Sequence, residues 1–235
     1  MPIRRLLVAS IVGCVVLSLA TTPGRTAGMA PVMKTGLARP PLPEVLTTTE
    51  SSAEDIVDFA LSGDRGNVVL TAARLRKSAN GPAAAALARS GVSPAKVAQL
   101  ERRANRVMQL ARRGSFFDIA LAANTISQLM PDLYAHFHDR VPALILALDY
   151  FDREAELRSL ARQPEKIASA VAGLDRTWPR VRPKVVAAGG TKEAAAYDRH
   201  VSAMKRLQPS ARRSMQTEAV RGLELVDELE RVFTR

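Results

Sequence analysis

Residues Ser115–Arg162 read SFFDIALAANTISQLMPDLYAHFHDRVPALILALDYFDREAELRSLAR, two helical patterns joined by a corner. Phe117, Leu121 and Ile126 recur at helical steps up to Met130. Leu144, Leu148, Phe151 and Ala155 recur in the same way after Pro142, with Tyr150 and Leu157 flanking. Pro131 and Pro142 bound the segment between them. In a chain with one Trp, three Tyr and six Phe, this stretch holds Phe116, Phe117, Tyr134, Phe137, Tyr150 and Phe151. Large rings dominate core energetics, so the centre of the core is expected here. Phe117, Leu121, Leu148 and Phe151 should hold the corner still.

Reading outward, the same period continues. Toward the N-terminus, Ser93-Pro94 opens a helix with a capping hydroxyl and a proline at its first position. Val97, Leu100, Ala104, Val107 and Ala111 form its stripe, and Gly114 is a kink. Further back, Ser51-Ser52-Ala53-Glu54 has the form of a capping box, so the first helix is expected from Ser51. Its stripe is Val57, Leu61, Val68, Ala72, Leu75 and Ala79, weakened at Gly63 and Gly66 and ended by Asn80-Gly81-Pro82. Ala83–Gly91 reads as a short helical turn. Toward the C-terminus, Gln163-Pro164 interrupts the third helix, and Ile167, Val171, Leu174 and Trp178 resume its stripe to Pro179. A fourth helix begins near Thr191 with Tyr197, Val201 and Met204 on one face. Ser214–Phe233 is a last amphipathic segment.

No strand-like alternation of any length occurs, so at 235 residues the chain reads as all-α. The expected architecture is an up-down four-helix bundle over 51–208 with an additional C-terminal amphipathic helix over 209–235. Leu61, Val68, Ala72, Leu75 and Ala79 fall opposite Leu160, Ile167, Val171, Leu174 and Trp178. That register, with an offset of about ninety-nine residues, hints at a repeat in which each half is an αα-hairpin.

The first twenty residues read as a secretory leader. Arg4 and Arg5 precede the apolar run Leu6–Ala20, which is shorter than the roughly twenty residues of a membrane span, and small residues allow cleavage after Ala20. A competing reading is lipidation at Cys14, since Ile11-Val12-Gly13-Cys14 resembles a bacterial lipobox. The segment over 21–50, with Pro23, Pro31, Pro40, Pro41 and Pro43, reads as a tether. The protein is thus expected to be exported, periplasmic or envelope-associated. Cys14 is the one cysteine, so a chain cleaved after Ala20 forms no disulfide. The formal charge of +11 falls by the two charges of Arg4 and Arg5 on cleavage. No basic run exceeds two residues and no aromatics interleave with the arginines, so no nucleic acid is expected; the arginines read first as solvating the outer faces of the helices, with an anionic membrane or envelope surface or acidic partners as the alternative.

Candidate chemistry is sparse. His136 and His138 with Asp132 and Asp139 raise a metal site, but residues two apart point about 200° apart on a helix, and only Asp132 and His136 share a face. Asp149 stands among apolar residues and must be paired or protonated if buried, with Arg153 one turn on. Asn124 interrupts an apolar face. His200 and Met204, four apart, put an imidazole and a thioether on one face, a pair suited to copper or haem iron. No Glu-x-x-His, Cys-x-x-Cys-His or nucleophile-elbow pattern is present.

The segment Ala194–Leu207, AAAYDRHVSAMKRL, together with the leader, tether and helix count, resembles exported four-helix bundles of the cytochrome c′ and cytochrome b562 type. The resemblance implies a periplasmic helical bundle, with His200 on the haem-ligand helix of the b562 kind. No methionine stands near Glu54–Phe59 to supply a second axial ligand. The expectation is therefore a binding protein without catalytic activity or cofactor. Its envelope protein partner or small ligand would sit at the Pro131–Pro142 corner, using Asn124, Asp132, Tyr134, His136, His138, Asp149, Tyr150 and Arg153. The alternative is haem or copper handling through His200 and Met204.

Overall fold

The computed structural model describes residues 39–235. The expected leader, cleavage position Ala20, lipidation candidate Cys14 and most of the tether lie outside the described residues. Within 39–235 the chain is all-α, with ten helices: α1 (Glu44–Leu61), α2 (Arg65–Ala79), α3 (Pro82–Arg89), α4 (Pro94–Arg113), α5 (Phe116–Ser127), α6 (Met130–Tyr134), α7 (Leu144–Leu160), α8 (Pro164–Ala187), α9 (Thr191–Arg206) and α10 (Arg212–Thr234). Among the described residues none of these helices is long and apolar enough to cross a membrane.

Sequence punctuation sets most boundaries. Asp64 caps α2 through the Asn67 amide, Ser93 caps α4 through Lys96, and Ser115 caps α5 through Asp118. Each satisfies one of the orphan amides of a first turn. Gly63 and Gly114 break the helices rather than kink them. Two further boundaries differ from the sequence reading. Helix α1 starts at Glu44, ahead of Ser51, because Thr49 is fully buried with its hydroxyl on Val45 O and Ser78 Oγ; burial overrides threonine's modest helix propensity. Ser51 and Ser52 consequently sit inside the helix and bond back to Thr48 O. Helix α8 runs through Pro179 and Pro183, both exposed and four apart, so the carbonyls that lose an amide partner face water.

The hydrophobic residues divide between two cores rather than one bundle. The first is built from α1 to α6, with Leu46, Ile56, Leu75, Leu100 and Ile119 fully buried, and the second from α7 to α10, with Ile167, Leu174, Tyr197, Met204 and Leu229. In the first, α1 packs on α2 and α5, and α4 on α2 and α5; in the second, α7 packs on α8 and α10, and α9 on α8 and α10. The terminal amphipathic helix α10 is thus a full member of the second core.

The two halves repeat. Advancing α2 by about ninety-nine residues lands on the start of α8, and α1, α4 and α5 land within a few residues of the starts of α7, α9 and α10. Gly63 and Arg162, the same interval apart, both adopt left-handed backbone, with φ of 77° and 58°. The arginine accepts there a conformation that favours glycine.

Helix α7 belongs to both halves. Leu146 and Leu157 enter the first core, while Ile145, Leu148 and Ala155 enter the second. Helices α8 and α10 approach it through glycines. A Cβ on Gly173 would fall within the Phe151 ring, and one on Gly222 within the Asp152 carboxylate. Overpacking of this kind costs about 1–3 kcal/mol. Gly173→Ala should therefore lower the unfolding free energy by about that amount in urea denaturation, whereas Gly91→Ala, which meets nothing within 4 Å, should act only through its left-handed backbone, at about 1–2 kcal/mol.

Candidate functional site

The Pro131–Pro142 corner is built around the chain's own N-terminal segment. The His138 amide donates to Pro40 O at 2.7 Å, and the Leu42 amide donates to His138 O at 3.1 Å, forming an isolated parallel bridge. His138 therefore contributes its main chain while its ring is exposed, and His136 is half-buried beside it. Asp132 lies on the surface with Lys96 Nζ at 3.0 Å. Tyr134 is buried and its hydroxyl donates to Glu50 Oε2 at 2.6 Å. Phe137 anchors the corner in the first core. The structure does not bring the two imidazoles and two carboxylates of this corner together, and among the described residues no group of three His, Cys, Asp or Glu side chains could hold a metal ion.

The other predicted polar residues belong to a charged seam along α7. Asp149, Asp152, Arg153 and Glu156 are all buried. Arg153 lies 3.0 Å from Glu156 and 3.3 Å from Asp58 of α1, so the local partner expected for Asp149 is shared with acids of two helices. Asn124 of α5 donates to Glu154 at 2.9 Å, and Arg158 donates to the same carboxylate at 2.7 Å. Tyr150 packs on Phe151; burial, aided by Glu154, pushes its phenol up to about 12. Glu50 faces the seam from α1. Burial pushes its carboxyl up to about 8, with Glu230 and Asp149 adding to the shift against the Tyr134 hydrogen bond.

His200 is fully buried beneath α10. Its Nε2 lies 2.9 Å from Asp152 Oδ1 and its Nδ1 3.0 Å from Glu218 Oε1. Tyr197 donates to Asp152 Oδ2 at 2.8 Å and stacks against Trp178. Burial acts to lower the His200 pKa, but Asp152 and Glu218 outweigh it and the net shift is upward. With a carboxyl oxygen at each nitrogen, both ring nitrogens are engaged within the fold. Neither is left for a metal, and Met204 is buried among the apolar residues of the second core. The pair does not fit haem or copper ligation.

A density of basic side chains on the first half was not singled out in the sequence. Between Arg65 and Arg113 the chain has eleven Lys and Arg, one acid, Glu101, and no aromatic residue. Counting over a window reveals this density, which a search for basic runs does not. Leu70, Arg74 and Lys77 share the outward face of α2, and Arg102, Arg106, Gln109 and Arg113 share that of α4, all exposed. At the seam between these helices a groove is lined by Arg76, Asn105, Met108, Gln109, Arg112 and Arg113. Arg65 is committed elsewhere, capping the C-terminus of α4 through Ala111 O and Gly114 O and lying over the Phe116 ring.

The buried groups titrate with a definite sign. Glu50 binds its proton more tightly folded than unfolded, so stability falls as pH rises from its ordinary value of 4.5 to about 8. Unfolding free energy measured in urea should drop across that window, and Glu50→Gln should remove on the order of 3 kcal/mol of the drop, allowing for partial exposure. An unchanged slope would place the titration elsewhere. The raised His200 pKa acts in the same direction, its stabilisation being complete below about 6.5 and lost as pH rises through the folded value. Nitrogen-15 NMR of the ring should place its protonation midpoint above the ordinary value of 6.5; a midpoint below it would contradict the assignment. Compared with known protein families, curated proteins and solved structures, the chain matches none.

Proposed function

We propose that the protein is an exported, non-catalytic helical binding protein of the cell envelope, built as two up-down four-helix bundles in tandem, that docks on an anionic membrane surface through the basic face of α2 and α4. The observation that carries this reading is the concentration of eleven cationic side chains against one acid between Arg65 and Arg113. Most of the acids that could neutralise them lie on other helices. Each Lys or Arg near an anionic bilayer contributes about 1 kcal/mol, so a handful of them suffices for stable but salt-sensitive attachment. Leu70, 57% exposed at the centre of the outward face of α2, gives that face an apolar point of contact. The lack of aromatic residues disfavours single-stranded nucleic acid, which is held by stacking on rings.

The non-catalytic part of this reading is supported by two features. The ionisable cluster around His200 is sealed under α10 by Gly222, and its hydrogen-bonding atoms are turned on one another. The acids along α7 are likewise paired within the fold.

Co-sedimentation of the full chain with phosphatidylglycerol vesicles should be strong at low salt. It should weaken at about 1 M salt, where the screening length is about 3 Å, and stay weak with phosphatidylcholine at any salt. Reversing Arg74, Lys77 and Arg106 to Glu should reduce binding to the anionic vesicles more than tenfold while leaving the helical content unchanged. Equal binding by the wild type and the triple variant would overturn the assignment of this face.

A further inference from the structure

The groove between α2 and α4 has features that a diffuse basic face does not need. Its floor is the apolar Met108, 7% exposed, and its edge is fixed by a reciprocal amide pair, with Asn80 Nδ2 donating to Asn105 Oδ1 at 3.3 Å and Asn105 Nδ2 donating to Asn80 Oδ1 at 3.2 Å. Asn80 also donates to Arg76 O at 2.7 Å, which fixes the end of α2 that carries Arg76. Asn105, Met108, Gln109 and Arg112 follow one another at helical steps along α4, so one stripe of that helix faces Arg76 across the groove. The backbone of both walls is thus rigid, and the guanidinium groups are the adjustable parts.

The three arginines are uncompensated. Arg76, Arg112 and Arg113 are exposed, and none has an ion pair among the described residues. Cations at a helix C-terminus ordinarily serve the exposed carbonyls there, but Arg65 already holds those of Ala111 and Gly114. Three like charges lining one groove repel one another, and an anion between them removes that repulsion. A single carboxylate or a phosphodiester brings one negative charge. A phosphate monoester brings between one and a half and two at neutral pH, roughly, and three oxygens that accept the planar forks of arginine in pairs.

We infer that the groove lined by Arg76, Arg112 and Arg113 is a binding site for a phosphate monoester, with the Gln109 amide as a further donor and Met108 as its floor. The inference deepens the membrane reading, since the groove opens beside the same basic face, but it requires only the phosphate group. That group can come from a lipid headgroup or from a soluble phosphate.

The test uses the full chain and two kinds of probe. In a titration with inorganic phosphate at constant ionic strength, followed by the arginine Nε–H signals in NMR, the wild type should saturate. Arg76→Ala with Arg113→Ala should weaken that binding at least tenfold. Arg176→Ala with Arg180→Ala, exposed on α8 in the second half, should leave it unchanged. Because all of these side chains are exposed, circular dichroism should show native helix in each variant. Arg113→Lys, which keeps the charge and loses the fork, should fall between wild type and the alanine variant.

Vesicles then separate the sources. Tighter binding to phosphatidic acid than to phosphatidylglycerol at equal surface charge, abolished by the groove variant, identifies a lipid headgroup. Saturation by inorganic phosphate with no preference among vesicles identifies a soluble phosphate. Phosphate shifts that do not saturate, or that persist in the groove double variant, overturn the site even if anionic vesicles still bind. Saturation by phosphate without any vesicle binding overturns the membrane reading and leaves the groove standing.

Discussion

Helix α7 carries charge into the place where two hydrophobic cores meet, and the rest of the structure is arranged to satisfy it. Buried ions cost several kcal/mol each unless they are paired and hydrogen-bonded. Asp152 obtains its partners from α9, through Tyr197 and His200, and His200 obtains its second from α10, through Glu218. Arg153 reaches Asp58 on α1, and Glu154 receives Asn124 from α5. Every one of these contacts crosses between helices, and two of them cross between halves. A shift of either half along α7 by one turn would strand a charge in each core. The seam therefore fixes register where apolar packing alone would tolerate sliding, a role for which buried polar groups have precedent elsewhere.

The same constraint sorts the charge of the molecule. Three acids of α7, Asp149, Asp152 and Glu156, are buried, with His200 on Asp152 and Arg153 on Glu156. Cations are left on the outside of the first half, above all on α2 and α4. The first half thus presents basic side chains on α2 and α4, while Asp149, Asp152 and Glu156 lie in the interior. That separation is the physical basis for reading the molecule as a binding protein with its working surface on the first half, away from the histidine cluster that superficially suggests a cofactor.

Much of this was legible in the sequence, for reasons that are local. The breaks at Asn80-Gly81-Pro82 and Gln163-Pro164, and the cap at Ser93, depend on residues within a turn of one another. The repeat was visible as a register of apolar residues, and Gly63 opposite Arg162 turned out to share a backbone conformation as well. What the repeat meant was not visible: two hairpins can pair into one bundle, or each half can close its own core, and the choice depends on whether α5 and α10 have an apolar stripe wide enough to complete a four-helix set. The early start of α1 and the passage of α8 through two prolines were hidden because each depends on burial or exposure contributed by other helices. At the site, Asp149 was recognisable as an acid in apolar surroundings, whereas nothing singled out Asp152 and Glu156, which lie off the stripe of Leu144, Leu148, Phe151 and Ala155. Only the arrival of α9 and α10 made that side of α7 interior. The corner histidines drew attention through rarity, yet His138 serves through its amide and carbonyl, which any residue other than proline could supply.

The α7 seam joins the two cores into one cooperative unit. Equilibrium unfolding in urea, followed in parallel by the fluorescence of Trp178, the one tryptophan, and by far-ultraviolet circular dichroism, tests it directly. Trp178 reports on the second core, while circular dichroism reports on the helices of both. The account predicts coincident midpoints and slopes, the signature of a single transition. A fluorescence transition displaced from the circular dichroism transition, with a plateau between them, would show that the halves unfold independently and that the seam does not bind them together.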